Sequence, residues 1–413
     1  MSTTVADVVV DGLQRAGTPR IFGVPGYGSQ LPLVEAARRR GLPVVLAHDE
    51  GAACVMAAVT GDLVSAPGAA LAAPGPGVAA AATACRPAPL PPPDPRALDE
   101  AARLLANASR PILIAGLQCR SATDAQWLRA LAEALPAPVL LTLRAKGVLP
   151  DPHPLMHGVL WPGGGAGPLL DRADLIVALG LDAIEVSPGP WMTTAPLLHL
   201  APTPAAGEWY RPVVEVVGDI ALVIEELAPR LRGRARADWD VAELDRVKRS
   251  LRPRPGAAGG RLTPERVAAL AREATEAGTI ATLDAGPHAA ALAGAWDAVA
   301  PGEFVASYGP ATVGFALPAA IAAHLVHPER RAVCFTGGAG FRAALSELPT
   351  AIRLRAPIVV VVIADGSSDA SELVRMGQRF AVPSAAADSE ASFAQAFGRA
   401  LRAEGPALIA AWS

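Results

Sequence analysis

The chain has 413 residues, a length that makes two or three domains. Its 36 basic and 39 acidic residues leave a net charge of −3, which excludes the basic footprint of an ordinary nucleic-acid binder. Apolar residues make up 51% and charged residues 18%, so the chain is not disordered and can bury a large core.

The N-terminal stretch Met1–Gly17 carries Asp7 and Asp11 among apolar positions. Thr4-x-x-Asp7 reads as a helix cap and Val5, Val8, Val9 and Leu13 as one helical face, not as a secretory leader. The longest uncharged stretch, Leu63–Cys85, is mostly Ala and is broken by Pro67, Pro74 and Pro76, a poor composition for a membrane span. Four scattered cysteines (Cys54, Cys85, Cys119, Cys334) form no CxxC pair and fit small buried hydrophobes in a reducing compartment. The expectation is a cytoplasmic protein with no membrane and no nucleic-acid partner.

Two seams divide the chain. Residues 86–95 are so rich in Pro that they read as a stiff extended linker. Residues 229–260 are rich in Arg and end in Pro253, Pro255, Gly256, Gly259 and Gly260, a helix followed by a second linker. Three domains are expected, at 1–86, 97–230 and 260–413. In each, short apolar runs alternate with helical patterns. The first has Arg20–Val24, Pro43–Ala47 and Ala69–Ala73. The second has Pro111–Ala115, Pro138–Thr142 and Asp174–Leu179. The third has Thr279–Asp284, Ala332–Thr336, Ile358–Ala364 and Ala407–Trp412. Continuous apolar strands between helices imply an α/β fold of three consecutive doubly wound parallel sheets. Ligands then bind beyond the carboxyl ends of the strands.

The residues just after those runs are the candidates for chemistry. Phe22-Gly23-Val24-Pro25-Gly26 makes a tight turn at which backbone can approach a ligand, or a plain strand-to-helix turn. His48-Asp49-Glu50 closes the second run ahead of a helix of small residues. One carboxylate there suffices as a helix cap, which leaves another to exchange protons with a ligand. Pro74-Gly75-Pro76-Gly77 is a third turn. Thr336-Gly337-Gly338-Ala339-Gly340 opens a helix, where exposed backbone N–H groups can cradle phosphate. The same residues read as GxGxxA from Gly338 to Ala343, with Asp365 ending the next strand, a weak nicotinamide-dinucleotide pattern. His153 and His157 lie in a Pro-rich loop and read as structural, whereas His288 lies four residues beyond a strand end, near the phosphate turn.

The ordered set resembles the thiamine-diphosphate-dependent enzymes of the acetolactate synthase and benzoylformate decarboxylase group. The early Phe-Gly-Val-Pro-Gly, the strand ending at Glu50 with Ala53, Met56 and Ala57 behind it, and Gly-Pro-Gly are similar to the pyrimidine-binding domain. Arg110–Gly116, Ala137–Val139, Lys146–Pro150, His153–Gly158 and Ala173–Gly180 resemble the central domain. Asp284–His288, Gly314–Ala320, Glu347-Leu348 and Asp365 resemble the diphosphate-binding domain. The resemblance implies a homodimer or homotetramer with thiamine diphosphate and Mg²⁺ held between the first domain of one subunit and the third of another. Glu50 would be the catalytic residue, bonded to the aminopyrimidine ring, and a 2-oxo acid would lose carbon dioxide. Pro25, Gly26, Gly75, Gly286, His288, Val313, Gly337, Gly338, Ala339, Gly340 and Asp365 would line the cofactor, Val313 in the place of a bulky apolar residue that bends it. Asp365 and Ser367 would face the metal.

Three features depart from that pattern. Gly338 stands where the family's Gly-Asp-Gly turn has its metal-binding Asp. The first domain stops after Cys85, about half of it missing. The stretch after Asp365 is abbreviated to Gly366-Ser367-Ser368-Asp369. Three functions follow: a thiamine-diphosphate-dependent decarboxylase or carboligase on a 2-oxo acid; a degenerate relative acting as a partner or regulatory protein, or with a repurposed cleft; and a nicotinamide-dependent oxidoreductase.

Overall fold

A computed structural model describes residues 4–24, 30–72, 90–160, 166–185, 193–205, 210–231, 237–251, 262–307 and 312–412. Three α/β domains with parallel sheets are present, the first the smallest. They fall into two compact units. The first unit comprises Met1–Pro87, Ala258–Ala289 and Val305–Ser413, and the second comprises Ala88–Ala257 with Ala290–Phe304.

The first domain runs α1 (Val5–Arg15), β1 (Ile21–Gly23), α2 (Leu31–Arg39), β2 (Val44–Leu46), α3 (Glu50–Val64) and β3 (Ala69–Leu71). The Thr4–Asp7 capping box starts α1 as the sequence predicts. The sheet order is β2-β1-β3, all parallel. With three strands of three residues each, this is the smallest of the sheets.

The second unit holds the central sheet. Its elements are α4 (Pro95–Asn107), β4 (Pro111–Ala115), α5 (Ala122–Ala134), β5 (Val139–Leu141), β6 (Met156–Val159), α6 (Gly167–Leu170), β7 (Leu175–Leu179), β8 (Leu197–Ala201), β9 (Val214–Val217), α7 (Ile220–Leu231) and α8 (Val241–Leu251). The order β6-β5-β4-β7-β8-β9 reverses direction between β4 and β7. β4 and β7 are buried throughout, as strands covered on both faces must be. His153 reaches Glu133 and His157 its own backbone at Leu155, in agreement with their structural reading.

The third domain adds α9 (Pro264–Glu273), β10 (Ile280–Leu283), α10 (Ala289–Ala295), β11 (Phe304–Ala306), α11 (Ala316–Val326), β12 (Ala332–Gly337), α12 (Gly338–Ala344), α13 (Leu348–Arg353), β13 (Ile358–Ile363), α14 (Ser367–Arg379), β14 (Ser384–Ala387), α15 (Glu390–Ala400) and β15 (Ala407–Ala411). The order β11-β10-β12-β13-β15-β14 places its reversal between β10 and β12.

The short first sheet finds its partner in this domain. Helices α3 and α11 pack along each other, and both bury small side chains, among them Ala52, Ala53, Ala57 and Gly61 of α3 and Ala316, Ala319, Ala320 and Ala323 of α11. Phe22, Ala53, Met56 and Val59 share one continuous core with Phe315, Ala319, Ala323, Leu348 and Val360. Small side chains let the helix backbones approach closely and spread the contact over many atoms.

Candidate functional site

In an open α/β sheet the crevice lies where strand order reverses, beyond the carboxyl ends of the two strands. In the third domain that point is the end of β10 and β12. Asp284 follows β10 and is buried. It accepts hydrogen bonds from Thr336 Oγ1 at the end of β12 and from the Ala316 amide at the start of α11, 3.0 Å away. Burial pushes its carboxyl pKa up, and the Thr336 and backbone hydrogen bonds oppose this. Asp284 is thus the knot that ties three elements together and fixes the crevice floor.

Two glycines of the phosphate turn have steric reasons. A Cβ on Gly340 would fall 2.3 Å from both Asp284 Oδ2 and Thr336 Oγ1, so only glycine lets α12 pass the knot. A Cβ on Gly337 would fall 2.6 Å from His288 Cε1, and one on Gly286 3.0 Å from the same atom. The His288 ring therefore lies against both turns. Its Nε2 is shut off from solvent and has no hydrogen-bond partner among the described residues. Burial depresses its pKa against the opposing pull of Asp365, so the ring is neutral near pH 7. No side chain caps the start of α12. The crevice thus keeps an unsatisfied buried nitrogen and small-residue walls, features that suit a polar, anionic ligand group.

Other predicted residues stand nearby with less to say for themselves. Gly338 is buried and Ala339 exposed at the first turn of α12. Val313 is an exposed apolar side chain just ahead of Gly314 and α11. Asp365 is exposed beyond β13, and its amide donates to Asp369 Oδ2 at 3.0 Å. Ser367 is exposed and begins α14. Among the described residues no group of three or more His, Cys, Asp or Glu side chains stands where it could hold a metal ion. Pro25, Gly26 and Gly75 lie outside the described residues.

Glu50 is the first residue of α3, half-buried, directly after Asp49, whose side chain caps the helix by accepting from the Ala52 amide at 2.9 Å. Together with burial, these two carboxylates raise the pKa of Cys54, one turn along. The turn that carries Glu50 is clamped by a residue whose role the sequence did not reveal. Glu347 is fully buried, and its Oε1 accepts the His48 and Asp49 amides at 2.8 and 2.9 Å. Its Oε2 accepts Thr350 Oγ1 at 2.7 Å, while Thr350 also meets His48 Nδ1 at 2.9 Å. Arg353 adds a hydrogen bond to the Leu46 carbonyl. Glu347 lies nine residues past Gly338, beyond the end of α12. The Glu50 turn is therefore held at the junction between α12 and α13.

Sequence reasoning also missed Arg342 and Asp369. Arg342 Nη2 pairs with Asp369 Oδ1 and lies 3.5 Å from Glu372. The spacing of 338 to 342, one helical turn, was the available signal that this side chain covers Gly338.

Comparison with known proteins gives the same order of domains. Residues 3–88 match the family of the thiamine pyrophosphate enzyme N-terminal TPP binding domain, 98–227 its central domain and 284–379 its C-terminal TPP binding domain. The chain is 31% identical over 286 residues to a putative thiamine pyrophosphate-containing protein, YdaP, of Bacillus subtilis, covering 66% of this chain and 48% of that protein. It is 32% identical over 279 residues to a catabolic acetolactate synthase of Raoultella terrigena, covering 65% and 50%. It is 29% identical over 273 residues to the large subunit of acetolactate synthase isozyme 1 of Escherichia coli, covering 65% and 48%. The matched region thus spans about half the length of these relatives. Among the described residues no helix is long and apolar enough to cross a membrane.

Proposed function

The chain belongs to the thiamine pyrophosphate enzyme family, and from that premise we propose that it binds thiamine diphosphate and acts as a decarboxylase or carboligase on a 2-oxo acid. The observation that carries this reading is the unpartnered, solvent-shielded Nε2 of His288, set between Gly286 and Gly337 in the domain matched to the C-terminal TPP binding family. The residues present fit the diphosphate group: a neutral ring nitrogen, glycine walls and an uncapped helix start face one crevice. They do not fit Mg²⁺, because position 338 supplies no carboxylate and Asp369 is already paired.

When bound, thiamine diphosphate supplies an electron sink for the bond broken next to the carbonyl of a 2-oxo acid. The chain's own residues do the rest. His288 and the turn at Gly337–Gly340 hold the anionic end. Val313 offers an apolar surface to the middle. Glu50 holds and passes a proton at the pyrimidine ring, and Glu347 keeps the Glu50 turn in place. A homodimer or homotetramer with a cytoplasmic location is part of the same reading.

Gly340 of the GxGxxA pattern is accounted for without a dinucleotide, by Asp284 and Thr336. The degenerate alternative keeps one specific observation in its favour, the absence of a carboxylate at 338. Calorimetric titration of thiamine diphosphate separates the two. Saturable micromolar binding supports the enzyme reading, and a folded protein that takes up none at millimolar ligand supports the degenerate one. Carbon dioxide release from pyruvate should be abolished by Glu50→Gln with the thermal midpoint unchanged. Unaltered turnover in that variant removes Glu50 from the chemistry.

A further inference from the structure

We propose that Arg342 takes the place of a divalent cation at the phosphate turn, so that this crevice grips a diphosphate without metal. The inference rests on the thiamine diphosphate reading and deepens it.

Position 338 carries no carboxylate, yet its space is not open. A Cβ on Gly338 would meet Arg342 Nη1 at 2.8 Å and Asp369 Oδ2 at 3.1 Å. A positive charge and its counter-charge therefore stand in the volume in which a side chain at 338 would extend. Arg342 Nη2 is fixed by Asp369 and Glu372. Asp369 is fixed in turn by the Asp365 amide.

A divalent cation entering here would have to break that pair. It would then find Asp369, the exposed Asp365 and the hydroxyl of Ser367. Mg²⁺ demands near-octahedral oxygen geometry and sheds water reluctantly, so a carboxylate already held by a guanidinium is a poor host. Arginine suits the task the metal would have had. Its charge does not titrate, and its planar fork matches phosphate oxygens. With Nη2 spent on carboxylates, Nη1 makes no hydrogen bond to another described residue and stands beside the phosphate turn. Asp369 and Glu372 order the side chain before any ligand arrives, which lowers the entropic cost of binding.

The test is calorimetric titration of the full chain with thiamine diphosphate, and with inorganic pyrophosphate as a probe of the anion site alone, each in EDTA and in millimolar Mg²⁺. The expected result is binding of thiamine diphosphate in EDTA, changed less than about threefold by Mg²⁺. Arg342→Gln should weaken it by about tenfold or more in either buffer, the scale of a charge-assisted hydrogen bond. Arg342→Lys, which keeps the charge, should retain part of the affinity. Thermal midpoints of both variants establish that they fold. Binding that requires Mg²⁺, or binding in EDTA that survives Arg342→Gln, overturns the proposal and leaves the thiamine diphosphate reading standing. Absence of binding in both buffers, to a folded parent protein, overturns both.

Discussion

Two glutamates in this molecule each hold two backbone amides and a threonine hydroxyl and put them to opposite use. Glu185 follows β7 in the central domain. Its Oε2 accepts the Leu117 and Asp182 amides at 2.7 and 3.1 Å, and its Oε1 accepts Thr142 Oγ1 at 2.5 Å. Glu347 in the third domain also accepts two amides and one threonine hydroxyl. Glu185 sits at its sheet's own reversal point, where a Cβ on Gly116 would meet its Oε2 at 2.6 Å. The central crevice is thus closed by the protein's own carboxylate, which satisfies amides that could otherwise face an anion. Glu347 turns away from its sheet's crevice and fastens the turn that carries Glu50. The third-domain crevice keeps an unsatisfied His288 nitrogen instead. Two six-stranded sheets therefore differ in ligand capacity by where one carboxylate is spent.

The largest expected effect comes from removing Glu347. Glu347→Ala strands the His48 and Asp49 amides between the first and third domains and leaves Thr350 only its contact with His48, and should cost about 4 kcal/mol, read as a drop in the denaturation midpoint. A loss below about 1 kcal/mol would mean that the two domains do not depend on this clamp.

Glu185→Ala should cost less, about 2–3 kcal/mol, because the group is only half-buried. It also sharpens the comparison. Inorganic phosphate should raise the melting temperature of the variant by filling the vacated crevice, and should leave this crevice silent in the parent. A variant indifferent to phosphate would show that the crevice closes on itself.

Gly340→Ala drives a methyl group into Asp284 and Thr336 and should cost about 2 kcal/mol, with thiamine diphosphate binding lost alongside. Unchanged binding would separate the Asp284 knot from the crevice it is taken to shape.

The smallest effect is a pH dependence. Burial lowers the His288 pKa from 6.5, so the unfolded chain takes up this proton more readily than the folded one. The stability contributed by the neutral ring is full above pH 6.5 and is lost as pH falls through the depressed value. NMR titration of the imidazole should place its midpoint below 6.5 in the free protein and move it upward when pyrophosphate binds. A midpoint at or above 6.5 without ligand would contradict the buried, unpartnered nitrogen.

Much of this was legible in the sequence. The continuous apolar runs Pro111–Ala115, Ile358–Ala364 and Ala407–Trp412 hold strands at Pro111–Ala115, Ile358–Ile363 and Ala407–Ala411, because sheets covered on both faces demand them. The strands that escaped notice lack that signature. Ser384–Ala387 is a Ser-Ala edge strand, Met156–Val159 contains a glycine at φ +135°, and Leu197–Ala201 hides His199 among leucines. His288 and the glycine turns could be placed near one another because strand ends share one side of a parallel sheet. Glu347 could not. Its partners His48 and Asp49 lie some three hundred residues away in the chain, and nothing local distinguishes a clamp from a surface glutamate. Arg342 was hidden inside a pattern that treats it as a variable position.

The measurement that bears most directly on the account is hydrogen–deuterium exchange by mass spectrometry with and without thiamine diphosphate. The account predicts slowed exchange at residues 284–289 and 336–343 on ligand addition, and no change at 116–119 or 180–185 around Glu185. Protection confined to the central crevice, or no protection at either place under saturating ligand, would contradict it.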